Sequence, residues 1–141
     1  MDARKGRFVI IAAEFNKPLI DAMVVTAESE LQKAQVELVR TIRVSGSYEV
    51  PLIAEVTLSM ETVDALIVLG YIERGETLHG EVMGHVVHSA LVEMQIRHRK
   101  PIGIGIIGPG ATEQQAQERK VGSAVAAVRA TIRSYELLRE L

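Results

Sequence analysis

Three short runs of apolar, largely β-branched residues, at positions 8–13, 65–69 and 102–107, constrain this chain more than any other feature. Each is far below the ~20 residues that a membrane-spanning helix needs. Each is also too continuously apolar for a strand with one wet face, so all three are predicted to be central parallel strands covered on both sides by helices. A fourth segment, 36–44, alternates: Val36, Leu38, Arg40, Ile42 and Val44 are set against Glu37, Val39, Thr41 and Arg43. That period of two predicts a more exposed, edge strand.

Between the runs lie helix-length stretches at 18–33, 50–61, 78–97 and 112–141. Pro18 and Pro51 fit the first turn of a helix, where the missing N–H has no intrahelical partner to lose. Gly122-Ser123 interrupts the last stretch and allows one kinked helix or two. The order β-α-β-α-β-α-β-α predicts a four-stranded parallel sheet with right-handed crossovers and helices on both faces, a three-layer α/β/α sandwich. No repeat or Pro/Ser-rich linker divides the 141 residues, so one domain over 1–141 is expected.

Composition removes several classes of function. Sixteen Lys and Arg against eighteen Asp and Glu leave a net charge of −2, without the basic excess that nucleic acid or an anionic membrane attracts. The lack of cysteine excludes disulfides, thiolate metal sites and a thiol nucleophile, and leaves the redox compartment open. The N-terminal residues 1–8 are charged and short, unlike a secretory signal, and a cytoplasmic location is expected.

In open α/β sheets ligands collect beyond the carboxyl ends of the strands, which directs attention to four segments. They are Ala13-Glu14-Phe15-Asn16, then Ser45-Gly46-Ser47-Tyr48-Glu49, then positions 70–79, and finally Gly108-Pro109-Gly110-Ala111-Thr112. Phe15 and Tyr48 sit in loops, where they either stack a flat heterocycle between them or pack locally. His79 falls where a helix should begin, and a histidine exchanges protons near neutral pH; the alternative is a solvated helix-start residue. His85 and His88, three apart, lack a third metal ligand at convincing spacing and read as structural or surface residues, so no metal is expected. His98, in a basic run, reads as a solvated helix end. The fourth segment, with its glycines and the free amides of the helix start, admits an anion, but neither a Walker motif nor GxGxxG is present. Arg119, about two turns along that helix, can face an anion or a neighbouring subunit, or simply be solvated.

Four motifs in order, Ala13-Glu14-Phe15-Asn16, Gly46-Ser47-Tyr48-Glu49-Val50-Pro51-Leu52, Gly75-Glu76-Thr77-Leu78-His79, and Gly108-Pro109-Gly110 followed by Gln115-Ala116-Gln117-Glu118-Arg119, resemble the 6,7-dimethyl-8-ribityllumazine synthases, the archaeal-type members most closely. The resemblance spans nearly the whole chain and implies a flavodoxin-like topology. It also implies cofactor-free condensation of 5-amino-6-ribitylamino-uracil with 3,4-dihydroxy-2-butanone 4-phosphate, releasing phosphate and water. On it, Phe15 is expected to stack on the pyrimidine, and Ser47, Tyr48 and Glu49 to bind the ring and ribityl chain. Tyr71, Ile72 and Glu73 belong to the site's third loop. Gly75, Glu76 and Thr77 lie near the phosphate, His79 transfers protons, and Arg119 of an adjacent subunit binds the phosphate.

The chain departs from the family pattern at three places. Glu73 puts a carboxylate where an apolar residue is common, Ile104 stands where many members carry phenylalanine, and the chain is shortened near Val121 and Gly122, where Lys120 is the nearby basic candidate. The resemblance further implies a homo-oligomer, a pentamer or an icosahedral 60-mer, with small-molecule substrates and neither nucleic acid nor membrane as partner. Two alternatives stand beside it: a self-assembling shell or scaffold that keeps the fold with weakened catalysis, and a flavin- or pterin-binding module or the related archaeal riboflavin synthase.

Overall fold

Along β1 (Arg7–Ala13) successive side chains leave the sheet on opposite faces, so Phe8, Ile10 and Ala12 join one buried cluster and Val9, Ile11 and Ala13 another. The same division runs through β3 (Ala65–Glu73), whose residues are buried from Ala65 to Ile72. With β2 (Glu37–Val44) and β4 (Ile102–Ala111) these form one all-parallel sheet in the order β2-β1-β3-β4. Helices α1 (Lys17–Lys33) and α4 (Glu113–Glu140) contribute to the first cluster; α2 (Val50–Leu58) and α3 (His79–His98) contribute to the second. The result is the expected three-layer α/β/α sandwich with flavodoxin-like strand order. The computed structural model describes residues 6–141, so the expectations about the N-terminal residues 1–5 lie outside the described residues.

Three strand expectations need correction. β4 is an edge strand rather than a central one, because an apolar run reports coverage by helices on both faces, not the number of strand neighbours. β2 is the edge strand expected, but its alternation is broken: the register with β1 steps from Phe8↔Leu38 to Val9↔Arg40, leaving Val39 as an extra residue. Leu38 therefore packs with the α1/α4 cluster, whereas Ile42 and Val44 pack with the α2/α3 cluster. Finally, β3 and β4 run farther than their apolar cores, so Tyr71, Ile72 and Glu73, and Gly108 to Ala111, are strand rather than loop.

The helices start near their sequence signals. Pro18 and Pro51 occupy the first turns of α1 and α2. α4 runs unbroken through Gly122, whose cost of about 1 kcal/mol in a helix interior is small beside the packing of a 28-residue helix. His98 is not a solvated end: its Nε2 lies 2.5 Å from Glu55 Oε2, and Arg97 donates to the same carboxylate, tying α3 to α2. The His98 hydrogen bond, with that of Arg97, holds the Glu55 carboxyl below the usual carboxylate range against partial burial.

β4 alternates Ile102, Gly103, Ile104 and Gly105, with isoleucines turned toward the α2/α3 side and glycines toward α4. A Cβ on Gly103 would meet the Thr131 hydroxyl and lie 2.5 Å from the Ala127 carbonyl oxygen. Because backbone stands in the way, Gly103→Ala is expected to destabilise the chain by about 3 kcal/mol, at the upper end of overpacking costs. A urea midpoint unchanged from the parent chain would contradict this account of α4 docking.

Candidate functional site

From β1 the chain passes to β2 on one side and later returns to β3 on the other. The crevice beyond the carboxyl ends of β1 and β3 is therefore the switch point where such folds bind ligands. A cavity of about 340 Å³ opens there. The β1 end supplies Phe15, which is 47% exposed and precedes Asn16, the left-handed residue that starts α1. The β2 end supplies Ser45, Gly46 and buried Ser47, the last beginning a single 3₁₀ turn, Ser47–Glu49, that leads into α2.

The β3 end forms the floor. Tyr71 is 2% exposed, and its hydroxyl donates to the Ala111 carbonyl oxygen at 3.1 Å. Burial, then the charges of Glu73 and Glu113, push the phenol above its usual range, so it serves as a neutral donor. The Phe15 ring leans on it, with centroids 5.8 Å apart and planes at 41°. Ile72 and Glu73 complete the strand's share of the wall.

Gly75 and Thr77 carry the wall to the start of α3, where His79, Gly80 and Met83 line the cavity. The His79 backbone N–H donates to Thr77 Oγ1 at 3.3 Å, and its imidazole meets the Tyr48 ring edge-on at 5.8 Å. No side chain caps α3 at Leu78. A smaller adjoining cavity of about 220 Å³ shares Glu73, Gly75, Thr77 and Gly80, and adds Arg74, Glu81 and Gly110.

Of the residues singled out from the sequence, Phe15, Ser47, Tyr71, Ile72, Glu73, Gly75, Thr77 and His79 meet in the larger cavity. Tyr48, Glu49, Glu76, Ile104 and Arg119 do not line it. Phe15 and Tyr48 do not make one stacking slot; their ring partners are Tyr71 and His79 respectively. Ile104 is half-buried on edge strand β4, opposite Val68. Arg119 is exposed on α4, and its side chain has no hydrogen bond or ion pair with another described residue. Met83 and Gly80 escaped sequence reasoning, while Ser45 was named only as part of the segment after β2. For Met83 the signal was its i+4 spacing from His79, which puts both on one helix face.

At the start of α4 Thr112 and Gln115 form a reciprocal capping box, with Thr112 Oγ1 accepting from Gln115 N at 3.2 Å and Gln115 Oε1 accepting from Thr112 N at 3.0 Å, so two of the amides there are engaged within the chain. His88 turns its Nδ1 to the Gly84 carbonyl oxygen at 2.7 Å, within its own helix. Among the described residues no group of three or more His, Cys, Asp or Glu is placed to hold a metal. No helix among them is long and apolar enough to cross a membrane.

The site can therefore hold a flat ring against Phe15 and Tyr71, with hydroxyl and imidazole groups around it. Residues 5–139 match the family described as 6,7-dimethyl-8-ribityllumazine synthase. Proteins named 6,7-dimethyl-8-ribityllumazine synthase are similar over most of the chain. That of Saccharolobus solfataricus is 34% identical over 141 residues, covering 100% of this chain and 92% of the relative. That of Metallosphaera sedula is 33% identical over 132 residues, 94% of this chain and 87% of the relative. That of Staphylothermus marinus is 35% identical over 114 residues, 81% and 76% respectively.

Proposed function

Because this chain belongs to the 6,7-dimethyl-8-ribityllumazine synthase family, we propose that its crevice performs that family's condensation with the residues gathered there. The reaction, a step of riboflavin biosynthesis, joins 5-amino-6-ribitylamino-uracil to 3,4-dihydroxy-2-butanone 4-phosphate and releases phosphate and water. Phe15 holds the uracil ring flat, against the wall that Tyr71 supplies. Ser47, with Tyr48 and Glu49 beside it, binds the ring and its ribityl chain. Gly75, Glu76 and Thr77, next to the uncapped start of α3, receive the phosphate through backbone amides and the Thr77 hydroxyl. His79 moves protons during imine formation, phosphate elimination and ring closure, while the cavity contributes by orienting two substrates.

One observation carries the reading that the site is shared: among the described residues the two cavities have no Lys or Arg in their lining except Arg74, which shares the smaller one with the carboxylates of Glu73 and Glu81. A phosphorylated substrate needs a positive partner, and Arg119, exposed and unengaged on α4, supplies it from an adjacent copy. Ile104 on the β4 edge contributes to the same neighbour's wall. Family membership implies oligomeric assembly. That the assembly is a pentamer, free or packed into an icosahedral shell, that it resides in the cytoplasm, and that residues 1–141 make one domain are parts of this proposal.

The test is direct. Purified chain mixed with both substrates is expected to form the lumazine, followed by its absorbance, with inorganic phosphate released in equal amount. Assembled chain that forms no product would assign it instead to a shell or scaffold.

A further inference from the structure

Glu73 ends β3 between the two adjoining cavities and lines both. In the larger cavity, which Phe15, Tyr71, Ser47 and His79 also line, it is the only carboxylate among the described residues. Its side chain has no hydrogen bond or ion pair with another described residue, unlike those of Glu55 and Asp21, which are engaged by neighbouring cations. An ionised carboxylate only accepts hydrogen bonds. A ligand that covers it must offer N–H or O–H donors in place of the water it displaces, or leave a charge without a partner. A phosphate brought against it meets like charge instead.

The two substrates differ in this respect. The uracil diamine carries two ring N–H groups, an exocyclic amine and a secondary amine, all donors; the butanone phosphate carries a dianionic head. The smaller cavity has Arg74, which likewise makes no side-chain hydrogen bond or ion pair with another described residue, but it shares that cavity with Glu81 and with Glu73 itself.

We propose that Glu73 orients the uracil diamine in the larger cavity, its carboxylate accepting from the N–H groups of that substrate. The inference rests on the reaction proposed above. Glu73 orients the ring before chemistry begins and takes no proton from it, so its loss is read in binding rather than in the proton-transfer steps.

The experiment measures binding of 5-amino-6-ribitylamino-uracil alone, by calorimetry, to the assembled parent chain and to Glu73→Gln and Glu73→Ile. Circular dichroism and sedimentation establish that both variants are folded and assembled. Glu73→Gln is expected to weaken the uracil about tenfold and Glu73→Ile at least as much, as for loss of one hydrogen bond to a charged group. The KM for the butanone phosphate should stay unchanged or fall, and inorganic phosphate should begin to compete with the uracil. Equal uracil affinity in all three chains, with product still formed by the parent, would overturn the role of Glu73 and leave the reaction standing. A parent chain that neither binds the uracil nor forms product would overturn both.

Discussion

Replacing His79 by alanine is expected to lower kcat by about 10²-fold, the lower end of what a positioned proton-transfer group contributes, because orientation of two substrates retains the rest. The fold should be indifferent to the change. His79 is exposed at the first position of α3, and the hydrogen bond from it to Thr77 uses the backbone N–H, which alanine keeps. Alanine is also the best helix former, so the start of α3 is not weakened. What disappears is the imidazole that faces the cavity and meets Tyr48 edge-on. Sedimentation of the variant should match the parent. A variant with unchanged kcat would remove His79 from the mechanism.

How much of this was legible in the sequence depends on which interaction sets each feature. The runs at 8–13 and 65–69 gave strands because burial on two faces leaves an unmistakable apolar pattern. The edge position of β4 left no such mark, since its residues are apolar along the run even though Ile104 and Ile106 are only half-buried. The extra residue at Val39 was equally silent, being a matter of pairing with β1 rather than of β2 alone. At the site, the loop residues Phe15, Ser47 and His79 could be named from position after a strand or at a helix start. Tyr71 was read as loop, yet it is a buried strand residue whose hydroxyl is held by Ala111, forty positions away in the chain. The Thr112–Gln115 capping box was written in the sequence as Thr and Gln three apart, and it engages two of the amides at the start of α4.

Arg119→Ala is the second large expected effect. Loss of a hydrogen-bonded ion pair to phosphate is expected to raise the KM for the butanone phosphate by about 10- to 100-fold. The KM for the uracil should change much less, because on the proposed reading the ring sits against Phe15, Ser47 and the β3 end, in a cavity that Arg119 of the same chain does not line. Stability should be unaffected, since Arg119 is exposed and engages no described residue. Equal increases in both Michaelis constants would mean that Arg119 acts on the whole site and not on the phosphate.

The claim on which the account turns is that one copy supplies His79 and its neighbour supplies Arg119. The most direct measurement is to unfold the His79→Ala and Arg119→Ala chains together in equal amounts, reassemble them, and assay at a butanone phosphate concentration where each variant alone is nearly inactive. In a ring with one such pairing per interface, random mixing makes about a quarter of the sites whole, so activity should recover to about a quarter of the parent's. Mixed assemblies no more active than the average of the two separate variants would contradict a site shared between copies.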